Sequence, residues 1–196
     1  MQERKAEISR VTGETNVHIS LDLDGTGKAQ IHTGIGFFDH MLNSFARHGL
    51  FDLTVDVEGD LEVDSHHTIE DTGIVLGQAI KKAVGDKKGI CRFGDCMLPM
   101  DETLMLCALD LSGRPYLKFY MPLTVPKVGD FDTEMVHEFF YAVSYGAEMN
   151  LHLKMLDGEN NHHIIEAAFK SFAKALDQAT VIDTRITDIL STKGSL

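Results

Sequence analysis

With 196 residues, 43% apolar and 24% charged, the chain has the make-up of an ordinary globular protein, enough for one domain or two small ones. A formal net charge of -12 speaks against nucleic acid or an anionic membrane as partner, because holding phosphates at scale needs a basic face. Cys91, Cys96 and Cys107 lack CxxC spacing and suit a reduced, cytoplasmic setting, the opening MQERKAEISR has no signal-peptide core, and no apolar run nears the roughly 20 residues of a spanning helix.

Lys5 to Arg10 and Thr15 to Asp22 read as strands, with Val17, Ile19, Leu21 and Leu23 alternating with polar residues. Asp24-Gly25 predicts a hairpin turn into a third strand near Lys28 to His32. Phe37, Met41, Phe45 and His48 fall at helical spacing, so Phe37 to His48 is a predicted helix with Gly49 as its stop. Phe51, Leu53, Val55 and Val57 alternate again, giving a strand from Phe51 to Glu58. Asp64 or Ser65 caps the next helix, whose inner face of Ile69, Gly73, Leu76, Ile80 and Ala83 runs to about Val84. After the polar break Gly85 to Gly89, strands are expected near Ile90 to Phe93, Thr103 to Leu111 and Tyr116 to Met121. A loop with two prolines covers Pro122 to Asp132. A helix from Glu134 to Ala147, a strand from Asn150 to Met155 and a helix from His162 to about Thr180, capped by Asn160 or Asn161, follow. Val181 to Leu196 reads as a polar tail.

Both halves thus run strand, strand, strand, helix, strand, helix. In each, a Phe-Phe helix precedes a strand, a glycine and one short pattern. We expect an α+β protein made as a single compact domain from two βββαβα repeats, residues 1–88 and 89–180, with a tail at 181–196. Each repeat is expected to be a small sheet with its helices on one face, and the two to pack helix layer to helix layer or sheet to sheet.

The short pattern is HHxxE. It occurs as His66-His67-Thr68-Ile69-Glu70 and, 96 residues later, as His162-His163-Ile164-Ile165-Glu166. Residues four apart share a helix face, so His66 can share an ion with Glu70, and His162 with Glu166. His67 and His163 sit about 100° further round and point to a different ion. A repeated core helix explains repeated apolar residues. It does not explain repeated imidazole and carboxylate, which are costly to bury unless paired or metal-bound. Mixed ligands of this kind suit Mn, Fe, Zn or Co in a Lewis-acid role.

Several stretches together resemble the imidazoleglycerol-phosphate dehydratase family. They are RVTGET (Arg10 to Thr15), TGIGFFDHML (Thr33 to Leu42), HHTIEDTGIVLGQA (His66 to Ala79), PMDE (Pro99 to Glu102), DLSGRPY (Asp110 to Tyr116) and GENNHHIIEAAFKSFAKAL (Gly158 to Leu176). The resemblance implies tandem four-stranded sheets with helices packed on one face, in the ribosomal protein S5 domain 2-like manner. It implies a hydro-lyase of histidine biosynthesis with two Mn2+ per active site, taking imidazoleglycerol phosphate to imidazole acetol phosphate through a metal-bound imidazolate and general acid–base catalysis. By position, one metal takes His40, His67, His162 and Glu166. The other takes His66, Glu70, His163 and the residue before the second Phe pair, which is Glu138, with His137 one step earlier; the choice between these two stays open. Glu14 is the implied acid–base residue, grouped with Glu70 and Glu166 as catalytic, and it also touches substrate. Arg92, Arg114, Lys170, Ser191 and Lys193 are implied to bind the substrate phosphate. The implied state is a homo-oligomer of 24 copies with active sites between subunits.

Two other readings compete. DLDGT (Asp22 to Thr26) resembles the nucleophile motif of haloacid-dehalogenase-type phosphatases, but that motif follows a fully apolar strand and this one alternates. A protein in which metal only glues subunits together would share the ligands and show no turnover.

Overall fold

The computed structural model describes residues 3–196. Its first half has β1 (Lys5–Val11), β2 (Thr15–Asp22), β3 (Ala29–His32), α1 (Gly36–Gly49), β4 (Asp52–Gly59) and α2 (His66–Val84). The second has β5 (Phe93–Met100), β6 (Thr103–Asp110), β7 (Tyr116–Tyr120), the short β8 (Lys127–Val128) and β9 (Phe131–Asp132), α3 (Met135–Gly146), β10 (Asn150–Asp157) and α4 (Asn161–Thr180).

The alternating strands bury one face each, as period-two patterning requires. Val17, Ile19 and Leu21 of β2 lie opposite Val57, Val55 and Leu53 of β4, all buried. The sheets are four-stranded with matching orders, β1-β2-β4-β3 and β5-β6-β10-β7. In each, the last pair, β3 with β4 and β7 with β10, is parallel. The repeat in the sequence is therefore a repeat in topology.

α2 packs on β1 and β2, and α4 on β5 and β6. Across the halves α2 meets α3 and α1 meets α4, so the helix layers face each other with a sheet outside each. The two Phe pairs join this core. Phe38 of α1 meets the Phe139 ring of α3 edge-on at 5.3 Å, and Phe139 stacks on Phe169 of α4 at 5.0 Å. Such pairs add to the area they bury. Among the described residues, no helix is long and apolar enough to cross a membrane.

Two local expectations need correcting. Asp24-Gly25 is not a hairpin turn: β2 pairs with β1 and β4, and the chain crosses to place β3 beyond β4. Asp52 organises that crossing, its Oδ1 accepting from Thr26 N at 2.7 Å and Lys28 N at 3.0 Å, and Gly25 lies too close to Asp52 for a side chain. α1 ends at Gly49 as expected, but Leu50 and not Gly49 takes the left-handed position, at φ 59°, while Gly49 makes room for the Phe51 ring. The strand expected at Ile90 to Phe93 runs instead from Phe93 to Met100. β5 is an edge strand, so Pro99 interrupts no inner ladder. The tail is tied to the fold, with Ile182 bridging to Ile90 and Ile189 to Lys88.

Candidate metal and substrate site

α4 opens with Asn160 as its cap, the side chain accepting from His162 N at 2.9 Å and His163 N at 3.4 Å. One turn on, Glu166 is buried. Its Oε2 lies 3.0 Å from His162 Nε2 and 3.3 Å from Nε2 of His40, which α1 brings alongside. Its Oε1 takes the Lys170 ammonium at 2.6 Å. Burial pushes this carboxyl up, but Lys170 and His162 outweigh it and hold the group below its ordinary range. His40, His162 and Glu166 offer ligand atoms within 4.8 Å of one another, the only such set of three or more among the described residues. Two converging imidazole nitrogens and a carboxylate oxygen fit a divalent cation of the Mn, Fe, Zn or Co type.

α2 opens in the same style. Asp64 Oδ1 accepts from His66 N at 2.7 Å, so Asp64 supplies the terminal hydrogen bond although Ser65 holds the cap position. His66 Nε2 lies 3.5 Å from Glu70 Oε2, as the four-residue spacing requires. The second histidine of each pair turns away. His67 gives its Nδ1 to the Asp60 carboxylate at 3.0 Å, and its Nε2 lies 3.7 Å from Glu14 in the β1–β2 turn. His163 gives its Nδ1 to Glu102 at 2.8 Å, and its Nε2 lies 3.8 Å from Asp101 in the β5–β6 turn. The carboxylate hydrogen bonds raise both histidine pKa values. Glu102 is held down to about 2 by Asn160 N–H and by His163.

The remaining sequence candidates gather elsewhere. Arg92, Arg114, Ser191 and Lys193 line an open cavity of about 550 Å³ formed by the tail. Arg92 grips Asp110 through Nε at 2.7 Å and Nη2 at 3.1 Å, and donates Nη1 to Leu190 O at 2.7 Å. Among the described residues no side chain or carbonyl accepts from the Arg114 guanidinium. His40, Glu166 and Lys170 line a second opening of about 380 Å³. His137 Nδ1 and Glu138 Oε1 lie 2.9 Å apart on α3, and neither joins a ligand set among the described residues.

A family model described as imidazoleglycerol-phosphate dehydratase matches residues 33–176. An imidazoleglycerol-phosphate dehydratase of Lachnoclostridium phytofermentans is 66% identical over 193 residues, 98% of each chain. That of Acetivibrio thermocellus is 60% identical, covering 99% of this chain and 100% of the relative. The chain belongs to the imidazoleglycerol-phosphate dehydratase family. A crystal structure of the dehydratase from Staphylococcus aureus superposes with a TM-score of 0.83 at 41% identity, covering 91% of this chain and 99% of that one. One from Pyrococcus furiosus, in complex with (S)-C348, gives 0.84 at 35% identity, covering 96% and 100%. These matches carry the duplicated α+β fold.

Membership in the dehydratase family sets the phosphatase reading aside, and the structure gives DLDGT a local job: Asp24 pairs with Arg4, and Lys5 lies 3.4 Å from Asp22. Sequence reasoning passed over Asp60, Asp101 and Glu102. PMDE contains the last two and was a visible signal with no role attached; Asp60, seven residues before His67, gave none. Arg10 of RVTGET also has a structural task. With Thr15 it binds the buried Asp71 carboxylate and ties α2 to the first strands.

Proposed function

We propose that this chain removes water from imidazoleglycerol phosphate to give imidazole acetol phosphate in histidine biosynthesis, with two Mn2+ per active site, in a homo-oligomer whose sites are completed between copies. Family membership supports the reaction. One observation supports the sharing of sites. His162 and Glu166 stand at the N-terminal end of α4, whereas Arg92 N hydrogen-bonds Ala179 O at its C-terminal end. At 1.5 Å per residue the ligands and the arginine cavity are roughly 20 Å apart. A substrate about 10 Å long, the reach of three extended residues, cannot touch both in one chain. In this reading a neighbouring copy brings its arginines and tail to the metal ligands of this one, and its His67 to His40, His162 and Glu166. The outer face of the second sheet supports assembly too: Phe93, Met97, Tyr116 and Tyr120 lie exposed on it. A closed shell of 24 copies is the form we propose.

In this reading one metal is held by His40, His67, His162 and Glu166, the other by His66, Glu70, His163 and Glu138 or His137. When bound, such ions act as Lewis acids that polarise the substrate ring and hydroxyl. The chain's own groups do the rest. Arg114, whose guanidinium has no acceptor among the described residues, takes the phosphate with Arg92, Ser191 and Lys193. Lys170, already on Glu166, adds a cation at the other end. Glu14, exposed beside His67 Nε2, moves the proton from carbon or to the departing hydroxyl.

The test is turnover of imidazoleglycerol phosphate by chelator-treated protein with and without added Mn2+, alongside His67→Ala. We expect activity only with metal, and loss of both metal and activity in His67→Ala. Full turnover by chelated protein, or by a monomer, would overturn the reading. Tight metal and a shell without turnover would favour metal as glue alone.

A further inference from the structure

We infer that Asp60 and Glu102 are positioning residues, each fixing the Nδ1 of one histidine, His67 or His163, so that its Nε2 is presented to the metal. The inference rests on the two-metal reading above. Asp60 meets His67 Nδ1 with both oxygens, at 3.0 and 3.1 Å, and Glu102 meets His163 Nδ1 at 2.8 Å. A carboxylate on Nδ1–H sets the tautomer, stops the ring from rotating and makes the other nitrogen a better ligand. Among the described residues, only the second histidine of each HHxxE has this contact. His66 and His162 instead turn Nε2 to the glutamate of their own helix.

The two carboxylates differ in origin. Duplication of one half copied the histidines, 96 residues apart. It did not copy their partners. Asp60 directly follows Gly59, at the end of β4; in the second half Glu159 follows Gly158 after β10, yet it is Glu102 and not Glu159 that meets His163, Glu159 only donating its N–H to Glu102. Glu102 comes from the β5–β6 turn, which corresponds to the β1–β2 turn carrying Glu14. The same contact has been built from two unlike elements. Inheritance does not produce that, and stability gives little reason for it, since exposed ion pairs contribute little. Both residues are also anchored, Asp60 through its main chain and Glu102 through its carboxylate. Asp60 N donates to Glu14 O at 3.1 Å, and Glu102 Oε1 accepts from Asn160 N at 2.8 Å and Glu159 N at 3.3 Å.

The experiment compares Asp60→Ala, Asp60→Asn and Glu102→Gln with His67→Ala. Mn2+ affinity is read by chelator competition and by Mn2+ electron paramagnetic resonance, and the metal-free proteins are melted. We expect Asp60→Ala to weaken Mn2+ binding about 10–100-fold, the usual effect of losing an outer partner of a ligand histidine. Asp60→Asn and Glu102→Gln, which keep shape and an acceptor oxygen, should fall between it and the parent. Metal-free melting should stay near the parent's. If His67→Ala binds Mn2+ as the parent does, the two-metal reading itself fails. If His67→Ala loses Mn2+ while Asp60→Ala and Glu102→Gln keep parental affinity, that reading stands and the positioning role fails. A fall in Asp60→Ala matched by an equal loss of metal-free stability, with Asp60→Asn parental in both, also overturns the role.

Discussion

Gly77→Ala tests how the two halves are held. α2 and α3 cross backbone to backbone where Gly77 faces Gly146, with Gly73 one turn earlier against Phe139 O and Ala142. A Cβ on Gly77 would stand 2.6 Å from Val143 O, 2.8 Å from Ala147 N and 2.9 Å from the Gly146 Cα; one on Gly146 would stand 2.7 Å from Ile74 O. All are main-chain atoms or a Cα, so no side chain can rotate away. Restoring ordinary contact means parting the helices by about 0.8 Å in a core packed as densely as a crystal. Forced overpacking costs about 1–3 kcal/mol, and an unyielding backbone puts this site at about 3. Alanine's better helix propensity returns about 1 kcal/mol. The net loss is about 2 kcal/mol, a fall in Tm of about 4–8 °C for a chain of this size. The assay is thermal melting at one fixed protein and metal concentration, since both shift Tm. Gly36→Ala is the control, because nothing lies within 4 Å of its Cβ position. A Gly77→Ala protein that melts with or above the parent would show that the glycines do not set the helix separation.

Asn160→Ala removes the acceptor for two amides at the start of α4, and should cost about 1 kcal/mol, seen as a small drop in Tm. In metal-free protein, NMR titration should find the His67 pKa raised, and Asp60→Asn should bring it back towards 6.5. The sign follows from linkage: a raised histidine stabilises the fold fully below its unfolded pKa and loses that contribution as pH climbs through the folded value. An unshifted His67 in the parent would deny the Asp60 contact in solution. Deleting residues 191–196 removes Ser191 and Lys193 from the arginine cavity and should raise KM for the phosphate substrate, with Arg114→Ala raising it too; unchanged KM in both would empty that cavity of its role.

Read alone, the sequence determined the repeat, the element order and the inward faces of strands and helices, because these depend on periods of two and 3.6 that every residue helps to write. It also placed His66 with Glu70 and His162 with Glu166, which a single helix fixes. Where partners come from separate elements, only the tertiary structure decided. β4 slips between β2 and β3, so a good turn dipeptide makes a crossing and not a hairpin. His40 reaches Glu166 across 126 residues because α1 packs on α4. Asp60 and Glu102 find their histidines through loops whose paths no local pattern encodes. The arginines and the HHxxE pairs look like parts of one site in the sequence. The length of α4 holds His162 and Glu166 apart from the arginines in the folded chain, because a straight helix cannot fold back to bring its two ends together.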